Sequence, residues 1–398
     1  MIATFRNKFN KNFTESKYQQ YLKYLDDAYP NAIDFRVAET PIFINEIFKK
    51  QLIDVSDYIS AQILNADFKK NTNTALHHQA NTPNEPDLPE CLVMDFALSY
   101  NEQNEIVPAL IELQGFPSLF AFEVFQDEAL RDSYTIDEKS TPYLNGYDKT
   151  KYISHLTKII KGKKNEHTVL LEIHPHQQKT RVDFYCTQHY IDIPIVCITE
   201  LFQKGNQLFY HRNGADIKID RIYNRIVADE LQKQPQIIQD KGKVLQQELE
   251  VTWVNHPHHF FRISKYLLPF LDHPFIPNTQ FLSQIKSIPT DLENYVLKPL
   301  FSFAGQGVII DIQPNDIDAI KDPEKWIIQN KVQYAECIET PTGPAKAEIR
   351  LFYFWDEDRQ NYIATLNLAR LSKGKMIGVQ YNNTATWVGG SLGYFVSE

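Results

Sequence analysis

The sequence predicts a mixed α/β (α+β) fold, and three observations lead to that class. Residues 1–65 repeat apolar side chains at helical spacing, which predicts a mostly helical segment. Residues 150–235 alternate helical segments with short apolar runs, as in a small parallel α/β unit. Beyond Trp253, most apolar runs have strand length, and two of them are long. At roughly 150 residues per domain, 398 residues predict two or three domains.

The N-terminal region is predicted to consist of helices followed by a loop. Apolar residues recur at helical spacing over 18–25, and a second helical pattern over 42–64 follows Pro41, a residue typical of a helix start. Residues 69–90 are rich in Asn, Thr and Pro and lack apolar periodicity. We therefore expect this stretch to be a surface loop.

A β-hairpin is predicted next, followed by the α/β unit. The apolar runs CLVMDFALSY and IVPALIELQG are separated by the turn-forming residues NEQNE. The elements predicted for the α/β unit are a helix at 152–160, a strand at 167–173, a helix at 177–189, a strand at 193–199 and a hairpin that turns at Asn213-Gly214.

The last third of the chain is predicted to be rich in strands. A helical connector over 228–249 leads into it. The expected strands are YVLKPL, VIIDI, WIIQNKV, AEIRLFYFW and YIATLNLARL, with a glycine-bearing turn, FAGQG, between the first two.

Composition and charge exclude several classes of protein. The chain carries 41 Lys and Arg against 50 Asp and Glu, a net charge of −9, and has no long basic run, so nucleic acid is not an expected partner. The N-terminus lacks the apolar stretch of an export signal, and no run approaches the roughly 20 apolar residues of a membrane span. The four cysteines form no CxxC pair. These features predict a cytoplasmic protein with reduced thiols and no membrane partner.

Candidate chemistry begins at Lys298, which lies near the end of an apolar strand. It precedes a small-residue turn whose backbone N–H groups could cover phosphate oxygens. Taken alone, Gly305 and Gly307 are better explained as hairpin glycines with positive φ than as part of a phosphate loop.

Three further cations strengthen this interpretation. Lys331 ends another apolar strand, and Arg350 and Arg370 lie within the two long strands. Buried cations need anionic partners, and a polyphosphate is one such partner. The alternative is that these side chains reach the sheet edge or pair with nearby acids, namely Glu336, Glu339 or Glu348.

In this order, the residues resemble the nucleotide-binding half of the ATP-grasp superfamily. The likeness rests on Lys298, the FSFAGQG loop, the second lysine, Arg370 and the Asn382-Asn383 pair ahead of Gly389-Gly390. It implies an ATP site. The residues it would assign to cofactor binding are Lys298, Ser302, Ala304, Gly305, Gln306, Gly307, Gln329 and Lys331.

The metal-binding strands that follow the Gly-Gly in that superfamily have their counterpart near the other end of this chain. Residues 94–118 are similar to the family's Asp strand and Glu-x-Asn segment, which implies Mg²⁺ ligands at Asp95, Glu112 and Gln114. Glu112 and Gln114 are two residues apart and so share one strand face, and their oxygens suit Mg²⁺. The alternative is that Asp95 is a turn residue and Glu112 faces solvent. If the metal reading holds, residues 91–118 must pack in the same sheet as 348–371.

This order of motifs resembles a circularly permuted ATP-grasp protein of the glutathionylspermidine synthetase-like group. Residues 211–231 also resemble that group's hairpin and Tyr-x-Arg segment. The likeness implies four regions. These are a helical N-terminal segment with its loop (1–90), metal-binding strands (91–150), a small pre-grasp α/β domain (151–250) and a nucleotide-binding region (251–398).

This sequence departs from the group's pattern at several positions. Val93 stands where the synthetases typically have arginine, so that contact is either absent or supplied by Arg225 or Arg350. Gln114 replaces the asparagine of Glu-x-Asn. The glycine loop also lacks the group's charged residues.

Other kinds of active site find little support. The His256, His258 and His259 cluster, with His174 and His176, has no zinc-ligand spacing and is expected to consist of loop histidines. G-x-S-x-G and GxxxxGK[ST] motifs are absent, and no G-x-G-x-x-G follows a strand.

The resemblance implies an ATP- and Mg²⁺-dependent carboxylate–amine ligase that forms ADP through an acyl phosphate. Arg370 and Arg350 would be the catalytic residues, stabilising charge on the transferred phosphoryl group. The partners would be a small-molecule or peptide carboxylate and an amine. The alternative is a non-catalytic nucleotide-binding protein that acts through partner binding. Val93 and Gln114, which depart from the group's pattern, favour this alternative.

Overall fold

The computed structural model describes residues 1–76, 81–162, 165–302, 305–377, 382 and 384–396, and it has the expected mixed α/β fold. The helices are α1 Ala3–Asn12, α2 Glu15–Ala28, α3 Glu46–Ile63, α4 Phe68–Thr72, α5 Phe122–Ser133, α6 Lys149–Lys161, α7 Arg181–Ile191, α8 Ala228–Gln232, α9 Gln236–Gly242, α10 Pro257–Arg262 and α11 Pro314–Asp318. The strands are β1 Ile42–Ile44, β2 Cys91–Tyr100, β3 Ile106–Gln114, β4 Ser140–Thr141, β5 Thr168–Glu172, β6 Ile195–Cys197, β7 Phe202–Lys204, β8 Gln207–Arg212, β9 Ala215–Ile219, β10 Arg221–Asn224, β11 Thr252–Val254, β12 Thr279–Phe281, β13 Tyr295–Pro299, β14 Trp326–Asn330, β15 Lys346–Asp356, β16 Asn361–Ser372, β17 Gly389–Ser391 and β18 Gly393–Val396.

A five-stranded antiparallel sheet joins distant parts of the chain, in the order β17-β16-β15-β2-β3. In the register, Asp95 lies opposite both Arg350 and Glu112. The expectation that 91–118 share a sheet with 348–371 is confirmed.

This sheet has an apolar face and a face that is polar at one end. Met94, Phe96 and Ile349 belong to the larger core, which also contains α3. Val93 and Phe352 pack on the opposite face with Phe120. Because side chains alternate along a strand, Asp95 shares the face of Val93, and the charged residues gather where that apolar packing ends.

A smaller antiparallel sheet, in the order β12-β14-β13, carries Lys298 on β13 and Gln329 on β14. The strand predicted for 308–312 was wrong in extent, since Ile309 makes only an isolated bridge to Leu297. The chain then turns outward, because the exposed Asp311 pairs with Lys331 and Lys375 and α11 begins at Pro314.

The predicted parallel α/β unit is confirmed by the four-stranded sheet β11-β10-β5-β6, whose pairs are all parallel. The hairpin of β8 and β9 turns at Asn213 and Gly214, both with positive φ, as a two-residue turn requires. The predicted helical connector is broken into α8, α9 and a 3₁₀ turn, because Pro235 interrupts it.

The N-terminal segment completes the sheets formed by the C-terminal one. Strand β1 pairs in parallel with β18, which also pairs with β4, and Val37 bridges Gly390. A Cβ on Gly389, whose φ is +124°, would lie 2.4 Å from the Arg36 carbonyl oxygen. This close approach, by itself, requires glycine at 389.

The predicted surface loop over 69–90 is wrong in part. It contains the end of α4 and a 3₁₀ turn, and Thr72, Ala75 and Thr82 are buried. The reason is Glu85, which accepts hydrogen bonds from Arg262 and contacts His258, so the segment is held against α10. Residues 77–80 lie outside the described part.

Three further sequence expectations can be placed against the structure. Among the described residues, no helix is long and apolar enough to cross a membrane. All four cysteine thiols are unpaired, and three of them are buried. The four-region division of the chain stays a prediction.

Candidate functional site

A cavity of about 1350 Å³ lies between the five-stranded and three-stranded sheets and continues toward α2 and α5. Its described lining holds nine basic side chains against six acidic ones, although the whole chain carries a net charge of −9. The basic residues are Arg36, Lys179, Arg225, Lys265, Lys298, Lys331, Arg350, Arg370 and Lys375. The acidic residues are Asp26, Glu112, Glu123, Glu172, Glu230 and Glu348. A cavity with this excess of positive charge suits an anionic ligand.

Lys298 is buried in the wall formed by the small sheet. Its Nζ donates to Gln329 Oε1 at 2.6 Å and to the Ile111 carbonyl at 3.2 Å. Gln329 in turn donates to Thr279 Oγ1 at 2.8 Å, which fixes the amide. Burial, helped by the nearby Lys265 ammonium, lowers the pKa of Lys298 to about 8. The predicted residues Lys298 and Gln329 thus form one hydrogen-bonded pair facing the cavity.

Lys265 is a functional candidate that sequence reasoning missed. Its Nζ donates to Glu112 Oε1 at 3.0 Å and to the Ser302 carbonyl at 2.5 Å, and the side chain is buried. It therefore links the predicted metal strand to the start of the predicted phosphate loop. The available signal was a lone lysine in the apolar stretch ISKYLLPFL.

The other wall carries a network of buried charges centred on Asp95. Arg350 donates to both carboxylate oxygens, at 2.5 Å and 2.6 Å, and Arg370 donates to Oδ2 at 2.6 Å. Arg370 also donates to Glu348 Oε2 at 2.8 Å, and the Tyr334 hydroxyl donates to the other Glu348 oxygen. The predicted catalytic arginines and Asp95 therefore meet in one cluster.

The electrostatics of this network follow from its pairing. Burial alone would raise the pKa of Asp95, but the Arg350 and Arg370 guanidiniums outweigh it and hold the value below its ordinary range. Burial raises the pKa of Glu348 despite Arg370. The sequence offered an ion pair with Glu348 as the alternative role of Arg370. Arg370 does form that pair, and it also binds Asp95.

The three predicted metal ligands are close in the sheet but differ in availability. Glu112 and Gln114 lie on one face of β3 and both line the cavity. Asp95 is 2% exposed, and both of its oxygens are engaged by arginines. Within the described residues, no group of three or more His, Cys, Asp and Glu side chains could hold a metal ion. Glu112 and Gln114 offer side-chain oxygens of the kind that Mg²⁺ prefers, and Glu112 Oε1 already accepts a hydrogen bond from Lys265.

The predicted phosphate loop is described only in part. Gly305 and Gly307 have φ of +73° and +75°, and Gly305 lines the cavity. Ser302 lies at the loop start, with its carbonyl bonded to Lys265, and Gln306 is exposed at the tip. Ala304 lies outside the described residues.

Lys331 and the residues near Gly389 complete the predicted set. Lys331 lines the cavity and lies 3.5 Å from Asp311. The Asn382 amide oxygen accepts from Ser372 Oγ and the Lys373 N–H, an arrangement that shapes the turn after β16. Asn383 is outside the described part of the chain.

The histidine cluster joins α10 to residues 83–86, away from the cavity. His258 Nδ1 lies 2.9 Å from Glu85, His256 contacts the Pro83 carbonyl, and His259 contacts the Pro86 carbonyl. Burial lowers the pKa of His256 to about 4 and that of His259 to about 3. His256 and His259 are therefore neutral packing groups at pH 7.

Comparison with known proteins identifies the fold. No family model matches the chain, and no curated protein matches it by sequence. A solved structure of a glutathione synthetase-like effector (GSS30) from Globodera pallida, in its apo form, is similar over 97% of this chain and 98% of that chain, with a TM-score of 0.57 and 10% sequence identity. The chain thus has a glutathione synthetase-like fold.

Proposed function

We propose that the cavity binds ATP with Mg²⁺ and that the protein is an ADP-forming carboxylate–amine ligase. The observation that carries the proposal is the arrangement of Lys298, Arg350 and Arg370 around one cavity that also receives Glu112 and Gln114. Lys298 on the small sheet faces a five-stranded sheet that carries both arginines and both oxygen ligands, and this set matches the needs of a metal-bound triphosphate. The glutathione synthetase-like fold supports the reaction class.

Each wall has a role in this proposal. Lys298 and the 302–307 loop contact the β- and γ-phosphates, and the cavity-lining segment 329–332 lies beside the base. Mg²⁺, held by Glu112 and Gln114, screens the phosphate charge. Arg370 and Arg350 stabilise the transferred phosphoryl group and the acyl phosphate that an amine then attacks. The carboxylate and amine are small molecules or peptides.

One observation favours a second candidate, a nucleotide-binding protein without ligase activity. Asp95 carries two arginines rather than presenting a free carboxylate, so the metal site has a single acidic ligand in Glu112, itself paired with Lys265. Such a protein would bind nucleotide and act through a partner.

Calorimetric titration with ATP, with and without Mg²⁺, tests the shared part of both candidates. Lys298→Ala removes a charge-assisted phosphate contact and should weaken binding by about 1.5–3 kcal/mol, roughly 10- to 150-fold. Lys325→Ala, at an exposed lysine paired with Asp322, is the matched control and should bind as the parent does. Unchanged affinity in folded Lys298→Ala would refute the nucleotide site.

ADP release with pooled amino acids and polyamines separates ligase from binding protein. Glu112→Gln conserves volume but removes the acidic ligand, so turnover should fall far more than metal-free ATP binding. Gln114→Asn restores the residue of the resembling family and should be tolerated. ATP binding without ADP release under any acceptor mixture would favour the non-catalytic candidate.

A further inference from the structure

The cavity continues beyond the charged network into an apolar arm, defined by Leu22, Ile33, Phe35, Leu119 and Phe122. Four of these side chains are only partly buried, although each packs on a core cluster. Phe35 meets Phe122 edge-on, with ring centroids 5.6 Å apart. Partly open apolar side chains inside a cavity favour an apolar ligand group.

Glu123 borders this arm directly after Phe122. It lines the cavity and is 1% exposed, yet its carboxyl has no hydrogen bond or ion pair to any residue that the structure describes. The nearest charges are Asp183, of like sign, and Arg350, which is bound to Asp95. An isolated carboxylate is costly to bury, so burial, reinforced by Asp183, raises the pKa of Glu123 well above its ordinary value.

A second buried carboxyl, that of Glu172, also lines the cavity. Glu172, at the end of β5, is 5% exposed, and one oxygen accepts from the Ile173 N–H at 2.7 Å. Burial raises its pKa to about 8. No ion pair joins it to a described residue.

The cations near these acids have other partners or lie outward. Arg225 donates to the Ser118 carbonyl at 2.9 Å and lies 4.0 Å from Asp183. Arg36 pairs with Glu39, and Lys179 is exposed. Glu123 and Glu172 therefore form no ion pair with a described residue, although Arg350 and Arg225 act on them from a distance.

We propose that this end of the cavity binds an amine that carries an apolar group, with its ammonium on Glu123 and its apolar part along Leu22, Ile33 and Phe35. An ammonium beside Glu123 would favour the ionised carboxylate, which burial alone disfavours, and the arm would cover the apolar group. The role of this amine as the ligase acceptor rests on the proposed function, but its binding does not need nucleotide. The Ser118 region joins the two ends, because Ser118 Oγ accepts from Arg350 at 3.1 Å.

Titration of the full chain with alkylamines, without nucleotide, tests the proposal. Hexylamine should bind about fifteenfold more tightly than butylamine, because each of its two extra methylenes contributes about 0.8 kcal/mol when buried, close to fourfold in affinity. Hexanoate has the wrong charge for the acids, and hexamethylenediamine would place a second ammonium in the apolar arm. Both should bind at least about tenfold more weakly than hexylamine.

Two variants separate the acid from the arm. Glu123→Gln keeps the volume but removes the charge and should weaken hexylamine at least about tenfold, whereas Glu102→Gln, in the exposed turn between β2 and β3, should leave it unchanged. Phe35→Ala should weaken hexylamine and leave butylamine nearly unaltered.

Three outcomes would overturn the proposal: hexanoate binding as tightly as hexylamine, no dependence on chain length, or full hexylamine affinity in folded Glu123→Gln. Titration with ATP distinguishes this failure from failure of the proposed function. Hexylamine binding without any ATP binding would refute the nucleotide site and leave the amine site standing. ATP binding without hexylamine binding would refute the amine site and leave the nucleotide site standing.

Discussion

The Arg350 guanidinium holds the Asp95 carboxylate through two parallel hydrogen bonds, Nε to Oδ1 at 2.5 Å and Nη2 to Oδ2 at 2.6 Å. The two residues are 255 positions apart and lie opposite each other on β15 and β2. This pair fixes the polar end of the central sheet, because Arg370 joins it from β16.

Asp95→Asn should lower the free energy of unfolding by about 3 kcal/mol, since it leaves the largely buried Arg350 without its anion and Arg370 with Glu348 alone. Urea unfolding of the nucleotide-free protein measures the change. Asp34→Asn, which breaks an exposed pair with Arg181, is the control and should have little effect. A silent Asp95→Asn would mean that the pair is not an anchor of the sheet.

The pKa of Lys298 makes stability depend on pH. Because the folded value is about 8 and the ordinary value is 10.5, the unfolded chain binds more protons between these two pH values. The free energy of unfolding of the parent should therefore rise with pH over this window, relative to Lys298→Met, by about 3 kcal/mol. Denaturant titrations at pH 7.5, 8.5 and 9.5 measure the difference. Lys325→Met should follow the parent, and a flat difference for Lys298→Met would contradict the burial of a charged amine.

Because His256 and His259 are buried and neutral, we expect the packing of residues 81–90 against α10 to weaken in acid. The pKa of His259 is about 3 in the folded chain, and its ordinary value is 6.5. The unfolded chain therefore binds more protons below pH 6.5, and the free energy of unfolding falls as the pH drops from 6.5 toward 3. Between pH 6.5 and 4, the parent should lose about 3 kcal/mol more than His259→Gln. Chemical unfolding across this range tests it. His211→Gln, at an exposed histidine, should not change the slope.

Gly389 gives a test of packing against ligand binding. Gly389→Ala should destabilise the nucleotide-free protein by about 3 kcal/mol, because it adds left-handed strain and places Cβ 2.4 Å from the Arg36 carbonyl oxygen. Gly343→Ala has a positive φ but open space around it, so about 1 kcal/mol is expected. Equal thermal unfolding of the two variants would show that the N-terminal segment does not constrain Gly389.

The sequence by itself determined the elements whose signal is local. Helical periodicity gave α2 and α3, the Asn213-Gly214 pair gave a two-residue hairpin, and alternation of helix and strand gave the parallel unit. The pairing of 91–118 with 348–371 also followed from sequence, because the order of Asp95, Glu112, Lys298 and Arg370 resembled a known site. Glu112, Lys298 and Arg370 line one cavity, and Asp95 is bound to Arg370. The resemblance did not predict these hydrogen-bond partners.

Only the tertiary structure decided which charges meet. Periodicity could not reveal that Lys265 donates to Glu112 or that Arg350 pairs with Asp95, because the partners are 153 and 255 residues apart in the sequence. It also could not reveal that Phe35 lines the cavity. Likewise, only the structure showed that His259 is buried beside Glu85, two residues that the sequence placed in loops. A side chain's partner and desolvation depend on the packing of distant elements, and these set its pKa and its availability to a ligand.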